Sequence, residues 1–142
     1  MKSRESVIRL KRFQADDKRR QVAQIEAMIA EFERMARDLD DQIVAEQERT
    51  GIRDVSHFAY PTFAKAAMQR RDNLLVSANE LREKLGGAQE ELAIAVEELK
   101  KFELLVERDQ DRERAAADTA EQEAIDEVAG RRRTRNAGVY IS

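Results

Sequence analysis

Cysteine is absent from this 142-residue sequence, and proline and histidine each occur once. The lack of cysteine excludes disulfides, a thiol nucleophile and thiolate metal sites, and it fits a reducing compartment. No apolar run approaches the ~20 residues that a membrane-spanning helix needs. The N-terminus leads into charged residues, not into the apolar core of a signal peptide. We therefore expect a cytoplasmic protein that is neither secreted nor inserted directly into the membrane.

Aromatic residues are also scarce, at 5% of the chain, whereas charged residues make up 39%. The apolar residues are mostly Ala, Leu, Ile and Val, a composition typical of long helices or a coiled coil and not of a globular core. The net charge of −3 conceals an uneven distribution. Residues 2–20 and 131–135 are basic, and the sequence between them is acidic.

Two segments carry apolar residues at alternating steps of three and four, the heptad spacing of a coiled coil. In the first segment these positions are Val22, Ile25, Ile29, Phe32, Ala36, Leu39 and Ile43. In the second they are Leu74, Ala78, Leu81, Leu85, Ala88, Leu92, Ala95, Leu99, Phe102 and Val106, preceded by Arg71. Extended towards the N-terminus, the first frame meets Lys18 and Lys11, so its apolar stripe becomes half polar there.

A short stretch between the segments holds two helix breakers. Gly51 suits the left-handed position after a helix, and Pro61 suits the first turn of a new one. We predict an all-α fold, an antiparallel two-helix coiled-coil hairpin with an overhanging C-terminal helix. Residues 1–130 would form this single hairpin, with a helix over 3–49, a hinge over 50–60 and a helix over 61–129. Residues 131–142 would be a disordered basic tail.

Glycines 86 and 87 lie inside the second predicted helix. The heptad frame keeps its phase across them, which favours a weak point or a bend, with a complete break as the main alternative.

The hinge also predicts which residues face each other. In a hairpin centred near residue 55, facing positions have numbers that sum to about 110, which pairs Ile43 with Ala67 and Ile29 with Leu81. Beyond Val106 the first helix has no residues left to pair. The sequence from 107 to 122 is almost wholly charged or Ala, so we predict an unpaired helix there, followed by a small apolar spot at Ala124, Ile125 and Val128.

The sequence gives little support to the hypothesis that this protein is an enzyme. A two-helix hairpin offers no pocket for convergent groups. The neighbours Asp54, Ser56 and His57 lie too close together in one loop to form a nucleophilic relay, and we interpret them as a polar turn. No phosphate-binding glycine loop is present, and one histidine without cysteine leaves no plausible metal site. We expect no enzyme activity, cofactor or metal.

Three of the seven aromatic residues cluster at the hinge, at Phe58, Tyr60 and Phe63. They either pack the open end of the hairpin or form a tip that contacts a partner. The basic ends form a second candidate surface. Its residues are Arg4, Arg9, Lys11, Arg12, Lys18, Arg19, Arg20, Arg131, Arg132 and Arg133.

Several explanations of the basic ends are open. Solvated helix faces commonly carry such charge, and a protein partner with an acidic lining would also bind it. Nucleic acid is disfavoured because the chain is acidic overall and no stacking aromatics alternate with the arginines. A membrane surface is disfavoured because the N-terminal helix lacks bulky apolar anchors.

Four stretches resemble a known family. Residues 3–13 and 17–26, together with 56–63 and 69–74, are similar to the flagellar export protein FliJ in its alphaproteobacterial form, over about residues 1–125. The resemblance implies a non-catalytic component of the flagellar type III export apparatus, peripheral to the inner-membrane base of the flagellum. It further implies an antiparallel coiled coil whose termini bind the hexameric export ATPase. The other implied partners are the cytoplasmic domain of the membrane export gate and export chaperones. A general cytoplasmic adaptor or scaffold without an ATPase partner is the alternative.

Overall fold

The computed structural model describes residues 2–141, with side chains described over residues 3–136. Helix α1 spans Lys2–Thr50 and helix α2 spans Thr62–Ile141. The two helices pack against each other, and residues 2–141 contain no strand. The predicted all-α hairpin is therefore confirmed. Residues 51–61 connect the helices, one residue later than the hinge predicted from sequence.

Both helix breakers act where the sequence indicated. Gly51 has a φ of +71°, in the left-handed region that favours glycine, and its N–H donates to the carbonyl of Gln47 at 2.8 Å. The hydroxyl of Thr50 donates to the carbonyl of Glu46 at 3.0 Å. At the other side of the connector, the carbonyl of Pro61 accepts from the N–H of Lys65 at 3.1 Å. Pro61 therefore directly precedes α2, where its missing N–H leaves no helical hydrogen bond unmade.

Helix α2 extends further than the helix predicted over 61–129, and it has no break. It is unbroken at Gly86 and Gly87, so the structure differs from the alternative of a complete break. It also passes Gly130 and continues to Ile141, beyond the end predicted at residue 129 and into the tail predicted to be disordered. Arginine is a good helix former, and a single glycine costs a helix only about 1 kcal/mol, which does not by itself end it.

The chain divides into two compact units, and the larger one comprises residues Arg9–Glu98. In this unit the faces of α1 and α2 that carry the heptad positions pack against each other. Leu39, Ile43 and Ala67 form the core cluster, with Met68 and Leu74 packed against it. In the predicted register, buried Ala36 lies opposite Leu74 and buried Ala78 opposite Phe32, as interdigitating layers require. The other buried apolar residues of this unit are Ala15, Val22, Ile29, Ala36, Tyr60, Ala64 and Ala78.

Three cations at heptad-seam positions of this unit form ion pairs across the hairpin. Lys11 contacts Glu98 at 3.1 Å and Lys18 contacts Glu91 at 2.9 Å. The third pair joins Arg71 on α2 to Asp40 on α1 at 2.8 Å. Each acid lies one residue from the position that the predicted register places opposite the cation. Ile43 and Ala67, a predicted pair, also share the core cluster. These contacts agree with the predicted register.

The register predicts one disulfide over its neighbours. A chain carrying Ile29→Cys and Leu81→Cys should oxidise readily, because facing seam positions bring the two β-carbons within disulfide reach. The chain has no native cysteine to interfere. Non-reducing electrophoresis of the monomer measures the cross-link. Pairing cysteine 29 with one at position 74 or 88 tests a slip of one heptad, and faster oxidation of either pair would contradict the register.

The smaller unit comprises Met1–Ile8 and Leu99–Ser142. Arg4 contacts Glu113 at 3.0 Å and Asp109 at 3.7 Å. Val7, Phe102 and Val106 line an apolar cleft beside them. Beyond Asp109, the side chains of residues 110–128 are all exposed. Residues 110–128 thus bury no apolar stripe, but Arg4 of α1 still pairs with Asp109 and Glu113, inside the segment 107–122 that the sequence predicted to be unpaired.

Candidate partner-binding surfaces

The basic residues of the candidate surface differ in whether they already form ion pairs within the protein. Arg4, Lys11 and Lys18 are engaged across the hairpin, each within its own unit, by the ion pairs described above. The hydrogen bond to Glu91 and the charge of that carboxylate raise the pKa of Lys18. The side chains of the three cations are only a fifth to a third exposed, at 25% for Arg4, 21% for Lys11 and 32% for Lys18. These three residues contribute to helix pairing.

The next pair of arginines is held by local contacts on α1. Arg19 binds Asp16 at 2.7 Å, and Arg20 lies 3.8 Å from Asp17. The guanidinium of Arg20 also lies over the ring of Phe13, 5.8 Å from its centroid, in a cation–π arrangement. Such exposed pairs contribute little stability, so these guanidinium groups can exchange their partners at small cost.

Three arginines of this candidate surface are exposed and make no ion pair or side-chain hydrogen bond within the described part of the chain: Arg9, Arg132 and Arg133. Arg131, by contrast, binds Glu127 one turn earlier at 2.7 Å. Arg12 is also engaged by another group of the protein, so it is not among the unengaged arginines. The exposed, unengaged arginines are the residues best placed to contact an acidic partner, because binding would not first break an internal contact.

The hinge aromatics separate into two classes. Tyr60 is buried, with 6% exposure, and its hydroxyl accepts a hydrogen bond from Nε2 of Gln47 at 2.9 Å. Phe58 is 97% exposed and stacks only on His57, with ring centroids 4.8 Å apart. Phe63 is 56% exposed. Tyr60 therefore packs the end of the hairpin, while the two phenylalanines face solvent. No spacing rule could separate them, because all three lie in or beside an irregular connector.

The polar residues of the connector form a turn. The hydroxyl of Ser56 donates to Oδ1 of Asp54 at 2.7 Å, and the backbone N–H of Ser56 donates to the same oxygen at 3.0 Å. Nδ1 of His57 accepts from the N–H of Ala59 at 3.0 Å. The imidazole is thus bonded to backbone and the serine hydroxyl to the carboxylate, so Nδ1 of His57 is not turned towards the hydroxyl as a nucleophilic relay requires. The three residues serve as turn formers.

The hydrogen bonds of this turn change the pKa of the Asp54 carboxylate. Hydrogen bonds from the side chain and then the backbone of Ser56 lower its pKa below the ordinary value. A lowered folded pKa means that the stabilisation is present at neutral pH and is lost as the pH falls through that folded pKa.

Tyr60→Phe and Phe58→Ala should behave differently. Removing the Tyr60 hydroxyl leaves the Gln47 amide without its partner and should cost about 1 kcal/mol of unfolding free energy. Phe58→Ala removes a ring that contacts little and should change stability by less than about 0.5 kcal/mol. Urea unfolding followed by circular dichroism measures both. Equal losses would show that Phe58 packs against the hairpin in solution.

Among residues 3–136, no cluster of three acidic or histidine side chains is arranged to hold a metal ion. Across the same described part of the chain, neither helix contains a segment apolar enough to cross a bilayer.

A protein-family model described as the flagellar FliJ protein matches residues 1–138. Neither a curated protein nor a solved structure matches the chain. The family match covers nearly the whole hairpin, including both basic ends and the connector. The chain therefore belongs to the flagellar FliJ family, and this membership makes it a component of the flagellar export apparatus.

Proposed function

We propose that this protein is a non-catalytic coupling component of the flagellar type III export apparatus that binds the hexameric export ATPase through its basic ends. The family match over residues 1–138 carries the proposal. The hairpin supports it, because it presents charge on long exposed helical surfaces. Residues 1–130 would act as one hairpin, located in the cytoplasm at the inner-membrane base of the flagellum.

Exposed arginines on both helices are the contacts we assign to the ATPase. Arg9 on α1 and Arg133 on α2 have no ion pair or side-chain hydrogen bond within the described residues, so both are available to acidic side chains of another protein. Arg131 and Arg132 would contribute beside Arg133. Arg4, Lys11 and Lys18 would act mainly by keeping the helices paired, since their charges are already compensated.

Arg9→Glu combined with Arg133→Glu should weaken binding to the cognate export ATPase at least about tenfold, because two attractive contacts become repulsive. Binding is measured by sedimentation of labelled protein with the ATPase, and the effect on hydrolysis by steady-state phosphate release. Arg37→Glu combined with Arg70→Glu is the matched control. Those two arginines are exposed, make no described ion pair and produce the same change of net charge.

Two outcomes would contradict the ATPase assignment. The first is a wild-type protein that neither binds the ATPase nor changes its rate, in cells that stay motile when the protein is deleted. That result favours the alternative, a general coiled-coil adaptor or scaffold. The second is an equal loss of binding in the control pair, which would indicate attraction by net charge alone.

The proposal extends to the cytoplasmic domain of the membrane export gate and to export chaperones. Phe58 and Phe63 are the aromatic side chains available for such a contact at the connector, because Tyr60 is occupied in packing. Pull-down of each partner with the Phe58→Ala variant, whose stability should be unchanged, separates this tip contact from a contact elsewhere.

A further inference from the structure

One face of the C-terminal part of α2 combines ionic residues with exposed large apolar side chains. Ile125 and Val128, 55% and 48% exposed, lie at its centre. Glu121 precedes them and Arg132 follows them, and all four line one shallow apolar surface. Asp118 and Arg135 extend the same alternating steps of three and four outwards. The face therefore reads acid, acid, Ile, Val, arginine, arginine along the helix.

We propose that this face binds a second copy of the chain, as an antiparallel helix pair. Placing Ile125 opposite Val128 of the partner brings Glu121 opposite the partner's Arg132 and Asp118 opposite the partner's Arg135. The same contacts repeat on the other side of the two-fold axis, because a symmetric pair uses one patch twice. Every seam position of one helix then meets a complementary position on the other.

Charge selects this orientation. A parallel pair would place Glu121 on Glu121 and Arg132 on Arg132, which is repulsive at each ionic position. The antiparallel pair turns all of these contacts into attractions. Ala124 and Ala129, which also line the surface, are small enough to let the two backbones approach.

The internal contacts of the segment point to the same face. Away from it, two pairs of side chains are bonded within the helix, Gln122 to Asp126 at 3.0 Å and Arg131 to Glu127 at 2.7 Å. On the face, the four ionic residues Asp118, Glu121, Arg132 and Arg135 make no hydrogen bond or ion pair within the described part of the chain. These four charges are therefore open to the ionic residues of a second copy.

The association is weak and sensitive to salt. Only Ile125 and Val128 supply apolar contact, and the surrounding pairs are exposed, so each adds little. Raising the ionic strength screens those pairs and should dissociate the dimer. The inference does not depend on ATPase binding, and its test uses the protein alone.

Sedimentation equilibrium of the full chain at low salt, over a range of concentrations, tests the proposal. Glu121→Arg should raise the dissociation constant by about tenfold or more, because it converts two attractive contacts into repulsive ones. Adding Arg132→Glu to the same chain should restore association, since the swapped charges again face opposites. Glu123→Arg, at an exposed position on the outer side of the helix, makes the same change of net charge and should leave association intact.

Three results would overturn the proposal. One is a wild-type chain that stays monomeric at every concentration. Another is Glu123→Arg weakening association as much as Glu121→Arg, which would reduce the effect to net charge. The third is a dimer that Glu121→Arg does not weaken, as parallel pairing predicts, because like residues face each other before and after the change. Circular dichroism of each variant confirms that helicity is unchanged.

Discussion

Ile43→Ala is expected to lower the free energy of unfolding by about 3 kcal/mol. Ile43 is 4% exposed and belongs to the core cluster of residues 9–98, with Leu39 and Ala67. The truncated side chain would leave a void that alanine at position 67 is too small to fill. A hairpin of two helices has few core layers, so the loss of one layer is a large share of its stability. Urea unfolding followed by helical circular dichroism measures the change.

Val44→Ala is the control for this prediction. Val44 is the next residue of α1 but is 50% exposed. Its truncation should change stability by less than about 0.5 kcal/mol, because alanine also has the better helix propensity. A loss at position 44 as large as that at position 43 would mean that α1 presents a different face to α2 than the one described.

Replacing both Gly86 and Gly87 by alanine should raise the free energy of unfolding by about 2 kcal/mol. Both glycines lie within the continuous helix α2, and a β-carbon at either position would meet no atom within 4 Å. Alanine therefore gains the ordinary helix propensity at each position without a steric cost. Thermal and urea unfolding measure the gain.

Gly51→Ala provides the contrasting control. No atom lies within 4 Å of a β-carbon there either, but Gly51 has a φ of +71°. Alanine in that conformation should lower the free energy of unfolding by about 1 kcal/mol. Free space for the β-carbon therefore does not by itself decide whether a glycine-to-alanine change stabilises the protein. A double alanine variant at 86 and 87 that is less stable than the wild type would indicate that the glycines accommodate a distortion of the helix.

The seam cations explain why one register is preferred. Moving one helix by a heptad preserves the apolar stripe, so the stripe alone cannot distinguish the alternatives. In one direction Lys18 would meet Lys84 in place of Glu91, and in the other Lys11 would meet Leu105 in place of Glu98. Polar residues at seam positions commonly specify register at a cost in stability. Lys18 disfavours the first slip, and Lys11 and Arg71 disfavour the second, in which Arg71 would meet Gln47 in place of Asp40.

Sequence reasoning located these cations in the seam but did not identify their acidic partners. The partners lie just outside the apolar stripe, at Asp40, Glu91 and Glu98. Applying the predicted register to the charged positions beside the stripe would have identified them. The same is not true of Gln47, whose bond to Tyr60 depends on the path of the irregular connector.

The sequence by itself determined the helices, the site of the turn and the face that each paired segment buries. Heptad spacing and helix breakers act through local backbone geometry, so they can be recognised without knowledge of the fold. The open, charged face around Ile125 could also be located from sequence, because a helix with no stripe to bury leaves its side chains exposed.

Only the tertiary structure decided which members of each group are already engaged. Tyr60 is buried at the end of the hairpin while Phe58 is exposed, although both are aromatic. Lys18 forms an ion pair with Glu91 while Arg9 forms none within the described residues, although both are basic. It also showed α2 continuing through Gly86, Gly87 and Gly130, where local signals favoured a weak point and an end. The reason is common to all of these cases. A side chain's partner depends on residues distant in sequence, and the small cost of one glycine is offset by the helix on either side of it.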